Sequence, residues 1–153
     1  VGYIISQLPS ENQVVKNELK LLQNFLFDVG TDLSTPIEAK RPFKLQPESV
    51  TWLEERIDYF TAESPDIDRF ILPGGTPEAS MVHVARTIAR RGERAIVRLN
   101  WTAKINEQVL IFTNRLSDYF YALARYLNVQ ANEPDIFYER GEKVFHKIKE
   151  EGL

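Results

Sequence analysis

Apolar residues recur at Val15, Leu19, Leu22, Leu26 and Val29, with spacings of four, three, four and three, the repeat of one helical face. Ser10 offers an N-cap ahead of this run and Gly30 an end to it, which predicts an amphipathic helix of about five turns. Before it, Val1-Gly-Tyr-Ile-Ile-Ser-Gln-Leu8 reads as the end of an apolar helix, so a further N-terminal segment is expected to precede it. Thr31 to Gln46 carries Pro36, Pro42, mixed charge and no period, and reads as a long connection. Pro47 then opens a second helix whose buried stripe is Val50, Leu53, Ile57 and Phe60, with Trp52 beside it, ending before Ser64-Pro65.

A Pro73-Gly74-Gly75 turn leads into a third helix, with Thr76 as N-cap, Pro77 at the first helical position and Glu78 in the electropositive first turn. Turning about 100° per residue, Met81, Val84, Ala85, Ile88, Gly92, Ala95, Ile96 and Leu99 fall on one side. That side is the predicted core face. Val82, His83, Arg86, Arg90, Glu93 and Arg94 fall on the other, the predicted working face. A fourth helix, from about Asn106 to Asn128, buries Val109, Phe112, Leu116, Phe120, Leu123 and Leu127 and presents Asn114, Ser117, Asp118 and Tyr121 on its other side. The tail from Ala131 holds Pro134 and a short amphipathic piece with Val144, Phe145 and Ile148. Four or five helices with no convincing alternating strand predict an all-α up-and-down helical bundle, a single domain over residues 1–153.

Composition narrows the chemistry. A net charge of −3 does not draw the chain onto nucleic acid or an anionic membrane, so the arginine cluster is a local device. The absence of cysteine removes thiolate ligands, disulfides and thiol catalysis. The two histidines, His83 and His146, are too few for an all-histidine metal site, and neither has a Glu three residues before it, as a di-iron bundle requires. No protein metal site is expected. Neither phosphate-loop glycine pattern nor a nucleophile elbow occurs. No apolar run approaches a membrane span and no leader pattern is visible, so a soluble cytoplasmic protein is expected.

Four features carry candidate chemistry. Arg86, Arg90 and Arg94 form a ridge at four-residue spacing with Glu93 on the same face; it suits polyphosphate, although a charge run by itself is more often a solvated face or a set of salt bridges between subunits. The Pro-Gly-Gly turn allows close backbone approach and opens a helix N-terminus that favours an anion, or is simply a turn. Asn114, Ser117 and Asp118, with Tyr121 beyond, fit a nucleoside or a neighbouring subunit. Phe70, Tyr121 and Phe145 lie outside the main stripes or at their edges and fit either an apolar pocket or the core.

Arg69-Phe-Ile-Leu-Pro-Gly-Gly-Thr, His83-Val-Ala-Arg-Thr-Ile-Ala-Arg-Arg-Gly-Glu-Arg94 and Asn114-Arg-Leu-Ser-Asp-Tyr-Phe120, in this order and spacing, closely resemble the PduO-type ATP:cob(I)alamin adenosyltransferases, over nearly the whole chain. The resemblance implies a five-helix bundle that assembles as a homotrimer, with ATP, Mg²⁺ and cobalamin meeting between adjacent subunits. It implies that Arg90, Arg91, Glu93 and Arg94 contact ATP, that Asn114 contacts the nucleoside or ribose, and that Arg86 enters an intersubunit ion pair. Phe70 is implied below the corrin, with Tyr121 and Phe145 as further pocket residues, and Arg90 and Phe70 as the catalytic pair. A cob(II)alamin reductase and an adenosylcobalamin-dependent enzyme are the implied protein partners. The family's Gly-Asp-x-Gly nucleotide loop, its nearby lysine and the acidic partner of Arg86 precede the first helix and are absent from these residues; they are expected upstream of Val1. The rival expectations are a non-catalytic cobalamin-binding or delivery bundle and a ligand-free structural trimer.

Overall fold

The structure is a computed structural model that describes residues 1–141. Among the described residues five α-helices follow in order: α1 (Gly2–Gln7), α2 (Gln13–Ser34), α3 (Pro47–Ala62), α4 (Pro77–Asn100) and α5 (Glu107–Gln130). α5 is the central element, packed against α3 on one side and α4 on another, while α1 leans on α2 and α4. α2 stands further off and reaches its neighbours through large side chains: the Phe25 ring meets Trp52 at 5.5 Å and Phe112 at 5.8 Å. No helix among the described residues is long and apolar enough to cross a membrane.

The apolar repeats explain the core. Leu19 and Leu22 of α2, Leu53 and Phe60 of α3, and Val109, Phe112, Tyr119 and Leu123 of α5 are completely enclosed, each large apolar side chain contributing about 1.5–3 kcal/mol. Trp52, Phe60 and Tyr126 gather around Tyr119 and one another in tilted and edge-on contacts of 4.9–5.9 Å, the geometry that ring quadrupoles favour. All six predicted stripe residues of α5 are buried, and Asn106 caps the helix by accepting the Gln108 N–H at 3.0 Å.

Three local expectations are corrected. Ser10 does not cap α2: Ser10–Asn12 form a separate 3₁₀ turn and Asn12 takes the cap position. Nor does Gly30 end α2, which continues to Ser34. Gly30 is exposed, and an added Cβ there meets nothing within 4 Å, so it is a weak helical position rather than a stop. The helix continues because Asp32, buried in its last turn, accepts hydrogen bonds from Lys44 N–H (2.8 Å), Leu45 N–H (3.0 Å) and Asn106 Nδ2 (2.8 Å). Asn106 Nδ2 also donates to Leu45 O at 2.9 Å. The long connection, whose purpose the sequence leaves open, is thereby tied to the start of α5.

The third correction concerns the face of α4. Its buried residues are Ala79, Val82, His83 and Ile96, whereas Val84, Ile88 and Leu99 of the predicted core face are 49%, 53% and 38% exposed. The helix is rotated by roughly a third of a turn from expectation. α5 takes the side that bears Arg86 and Glu93 and leaves the more apolar side uncovered. Val144, Phe145 and Ile148 lie outside the described residues.

Removing the Asp32 carboxylate leaves two backbone N–H groups and a buried carboxamide without their acceptor. Asp32→Ala is expected to lower unfolding stability by about 3 kcal/mol, whereas Gly30→Ala, at an open helical position, is expected to raise it by about 0.5–1 kcal/mol. Urea unfolding of the two variants checks both signs.

Candidate functional site

The site is built on residues 65–76, between α3 and α4. At its end, Gly75 adopts φ +101°, where an L side chain is strained, and a Cβ there collides with the Asn128 carboxamide. Asn128 fills that space productively: its Oδ1 accepts the Thr76 N–H and its Nδ2 donates to Gly74 O, both at 3.0 Å. Thr76 Oγ1 in turn accepts the Ala79 N–H at 3.1 Å. The Pro-Gly-Gly turn is thus docked onto α5, with the amides of Thr76 and Ala79 already partnered.

Upstream, Phe70-Ile71-Leu72 runs extended beside residues 136–138. Leu72 N–H donates to Ile136 O at 2.7 Å and Tyr138 N–H donates to Phe70 O at 2.8 Å, around an isolated antiparallel bridge between Ile71 and Phe137. This strip, α4 and α5 enclose an open cleft of about 430 Å³ lined by Phe70, Ile71, Arg86, Arg90, Ser117, Asp118 and Tyr121. Phe70 is 54% exposed there. Two guanidinium groups face one carboxylate, and that carboxylate, Asp118, is already engaged by Arg115 Nη1 at 2.7 Å. The cleft therefore suits an anion on its α4 side and an apolar surface on its Phe70 side.

The floor of the cleft is tightly specified. The Arg86 guanidinium lies over the Tyr121 ring at 5.4 Å, a cation–π contact. The His83 ring meets Tyr121 edge-on at 6.4 Å. His83 is buried, and both its ring nitrogens, like Arg86 Nε, lack a hydrogen-bond partner in the single chain. Burial, and then the neighbouring Arg86 charge, push the His83 pKa below the ordinary imidazole range, with Asp135 acting the other way. Burial also raises the Tyr121 phenol, so both rings are neutral at pH 7.

Of the residues singled out in the sequence, Phe70, Arg86, Arg90 and Tyr121 come together in this cleft. Glu93 and Asn114 meet just beyond it, Asn114 Nδ2 donating to Glu93 Oε1 at 3.1 Å. Arg94 shares a second depression of about 350 Å³ with Val97, Arg98 and Trp101. Arg91 is exposed and lies about 140° around the helix from Arg86, toward Val84 and Ile88. Phe145 lies outside the described residues. Sequence reasoning missed Arg125 and Asn128, both buried; the available signal was two polar residues set within the apolar run of α5.

A cobalamin adenosyltransferase family model matches residues 1–127. A corrinoid adenosyltransferase of Bacillus subtilis is 51% identical over 128 residues, covering 84% of this chain and 66% of the relative. Corrinoid adenosyltransferase MMAB of Homo sapiens is 32% identical over 149 residues, covering 93% of this chain and 59% of the relative. The chain thus spans less than two thirds of the length of either. Among solved structures, a variant PduO-type ATP:corrinoid adenosyltransferase from Lactobacillus reuteri, complexed with cobalamin and ATP, superposes with a TM-score of 0.90 at 49% identity, covering 94% of this chain and 78% of that one.

The depressed pKa of His83 carries a pH signature. The folded state takes up this proton less readily than the unfolded chain, so the group's contribution to stability is fully present above about pH 6.5 and is lost as pH falls from there toward its folded value. In wild type the urea midpoint should decline below that pH more steeply than in His83→Phe, and the His83 ring resonances should titrate at a lower pH than a free imidazole. Equal slopes, with an ordinary titration, contradict the arrangement.

Proposed function

Since the chain belongs to the cobalamin adenosyltransferase family, we propose that it transfers the 5′-deoxyadenosyl group of ATP to Co(I) of cobalamin, giving adenosylcobalamin and triphosphate. The observation that carries this reading is the single cleft in which Phe70 stands opposite Arg86 and Arg90. A similar structure holds both substrates.

The reaction needs no general base. The Co(I) electron pair forms the bond to C5′, the C5′–O bond breaks, and triphosphate departs with that bonding pair. The protein's tasks are to hold the carbon in line and to stabilise a highly charged leaving group. Arg90, on the cleft wall, and Arg94, one turn further along α4, are assigned to the triphosphate together with Mg²⁺. Asn114 is assigned to the nucleoside or ribose, its carboxamide oriented by Glu93. Phe70 is assigned to the lower face of the corrin, where an apolar ring excludes an axial ligand, favours four-coordinate Co(II) and so eases reduction to Co(I). Tyr121 continues that wall, and Phe145 is assigned to the same pocket. The reading calls for a reductase to supply the electron and an adenosylcobalamin-dependent enzyme to receive the product.

The assembly proposed is a homotrimer with shared sites. Two features support it: the uncovered stripe of Val84, Ile88 and Leu99 on α4, which suits a second copy of the chain, and the buried, unpartnered Nε of Arg86, which suits a carboxylate arriving from a neighbour. Arg91, on the same side as the stripe, is then placed to serve ATP across the interface.

The test is to incubate the protein with ATP, Mg²⁺ and chemically reduced cobalamin and follow the light-sensitive spectrum of adenosylcobalamin. Arg90→Ala is expected to lower kcat/KM by about 100-fold or more. Phe70→Ala is expected to impair four-coordinate Co(II) formation while leaving ATP affinity nearly unchanged. Tight cobalamin binding without product contradicts the transferase reading and supports a delivery protein, and an unaltered four-coordinate spectrum in Phe70→Ala contradicts the role given to that residue.

A further inference from the structure

Phe70 sits in an irregular segment, yet three attachments fix it, and all of them lead back to α5. At the upstream end, Arg125 Nη2 donates to Pro65 O at 2.6 Å. At the downstream end, Asn128, one helical turn along the same side of α5, holds Gly74 O and the Thr76 N–H. In the middle, the backbone of Phe70 and Leu72 is bonded to Ile136 and Tyr138, and that strip is itself anchored by Asp135. Arg125 donates to Asp135 Oδ2 from both Nε (3.0 Å) and Nη2 (2.8 Å). Side-chain exposures of 6% and 10% put this ion pair almost wholly inside the protein.

We propose that Arg125, Asp135 and Asn128 are positioning residues that set how far Phe70 reaches into the cleft, and so tune the corrin side of the site while leaving the nucleotide side alone. The proposal rests on the corrin-facing role given to Phe70 above. Arg125 suits the task because its planar fork binds a carboxylate and a backbone carbonyl from one fixed geometry, whereas a lysine offers one point charge on a flexible stem. The clamp touches the strip that carries Phe70 and its two ends. None of its three residues lines the cleft or meets Arg90, Glu93 or Asn114 in a hydrogen bond or ion pair.

Asp135→Asn keeps the shape and removes the charge, and Arg125→Lys keeps the charge and removes the fork; Arg125→Ala risks the fold and is not relied on. In both variants, amide hydrogen exchange at Leu72 and Tyr138 is expected to quicken by about tenfold or more, with amides in the middle of α5 unchanged. The four-coordinate Co(II) fraction is expected to fall and KM for cobalamin to rise, while KM for ATP stays within about twofold of wild type. Unchanged exchange at Leu72 and Tyr138 overturns the clamp. Quickened exchange with a wild-type four-coordinate fraction and cobalamin KM overturns its control of Phe70, as does a parallel loss in both KM values. Phe70→Ala, measured alongside, separates the two ideas: if that variant keeps the wild-type spectrum, it is the corrin role that fails, and the exchange data still decide the clamp.

Discussion

α4 packs on α5 with the side that bears Arg86 and Glu93 turned inward, while Arg90, Arg91 and Arg94 stay exposed, and most of the molecule's behaviour depends on that contact. Burying one side of a helix that carries Arg86 and Glu93 is costly unless each charge finds a partner. The structure finds them on α5: Asn114 for Glu93, and the face of Tyr121 for Arg86. His83, buried one turn before Arg86, stays neutral because burial penalises its charged form and the neighbouring Arg86 guanidinium adds to that. The polar seam between α4 and α5 widens at one end into the cleft, so helix packing and the site are parts of one arrangement.

The same contact leaves the other side of α4 unsatisfied. Val84 and Ile88, half-exposed in the single chain, are an ordinary core pattern facing the wrong way for a monomer. A helix that offers charge to its own bundle and apolar surface to the outside is suited to assembly, since a second copy removes the apolar surface from water and brings new groups toward the buried Arg86 Nε. In the proposed assembly, folding and site completion are coupled through one helix.

Much of this was legible in the sequence. α5 follows its heptad-like repeat because it is buried on nearly every side, so the apolar stripe from Val109 to Leu127 has one possible reading. α4 was harder, because periodicity shows that a helix has two faces without showing which one its own chain covers. The more apolar face predicts the core side, and packing against α5 overrides that pattern. Caps and ends depart from expectation for local reasons: Ser10 and Asn12 are equally good N-caps by type, and a 3₁₀ turn over Ser10–Asn12 leaves the cap position to Asn12, while at the other end the hydrogen bonds of Asp32 carry α2 past Gly30. Arg125 and Asn128 carry no periodic signal because their partners are backbone groups and an aspartate ten to sixty residues away in sequence, which no repeat reveals. The cleft residues stand out by spacing and by their place outside the apolar stripes, but their roles come only from the motif resemblance; charge spacing alone favours a solvated face or salt bridges over phosphate for Arg86 and Arg90.

The central claim is that phosphate-binding and corrin-binding surfaces meet in one cleft completed by a neighbouring copy. A crystal structure of the protein with ATP and cobalamin bound tests it most directly. The account predicts Arg90 hydrogen-bonded to the triphosphate, Phe70 packed against the corrin of the same site, and Val84 and Ile88 covered by an adjacent protomer. Arg90 and Phe70 contacting no common pair of substrates, or Val84 and Ile88 still facing solvent in the liganded assembly, contradicts it.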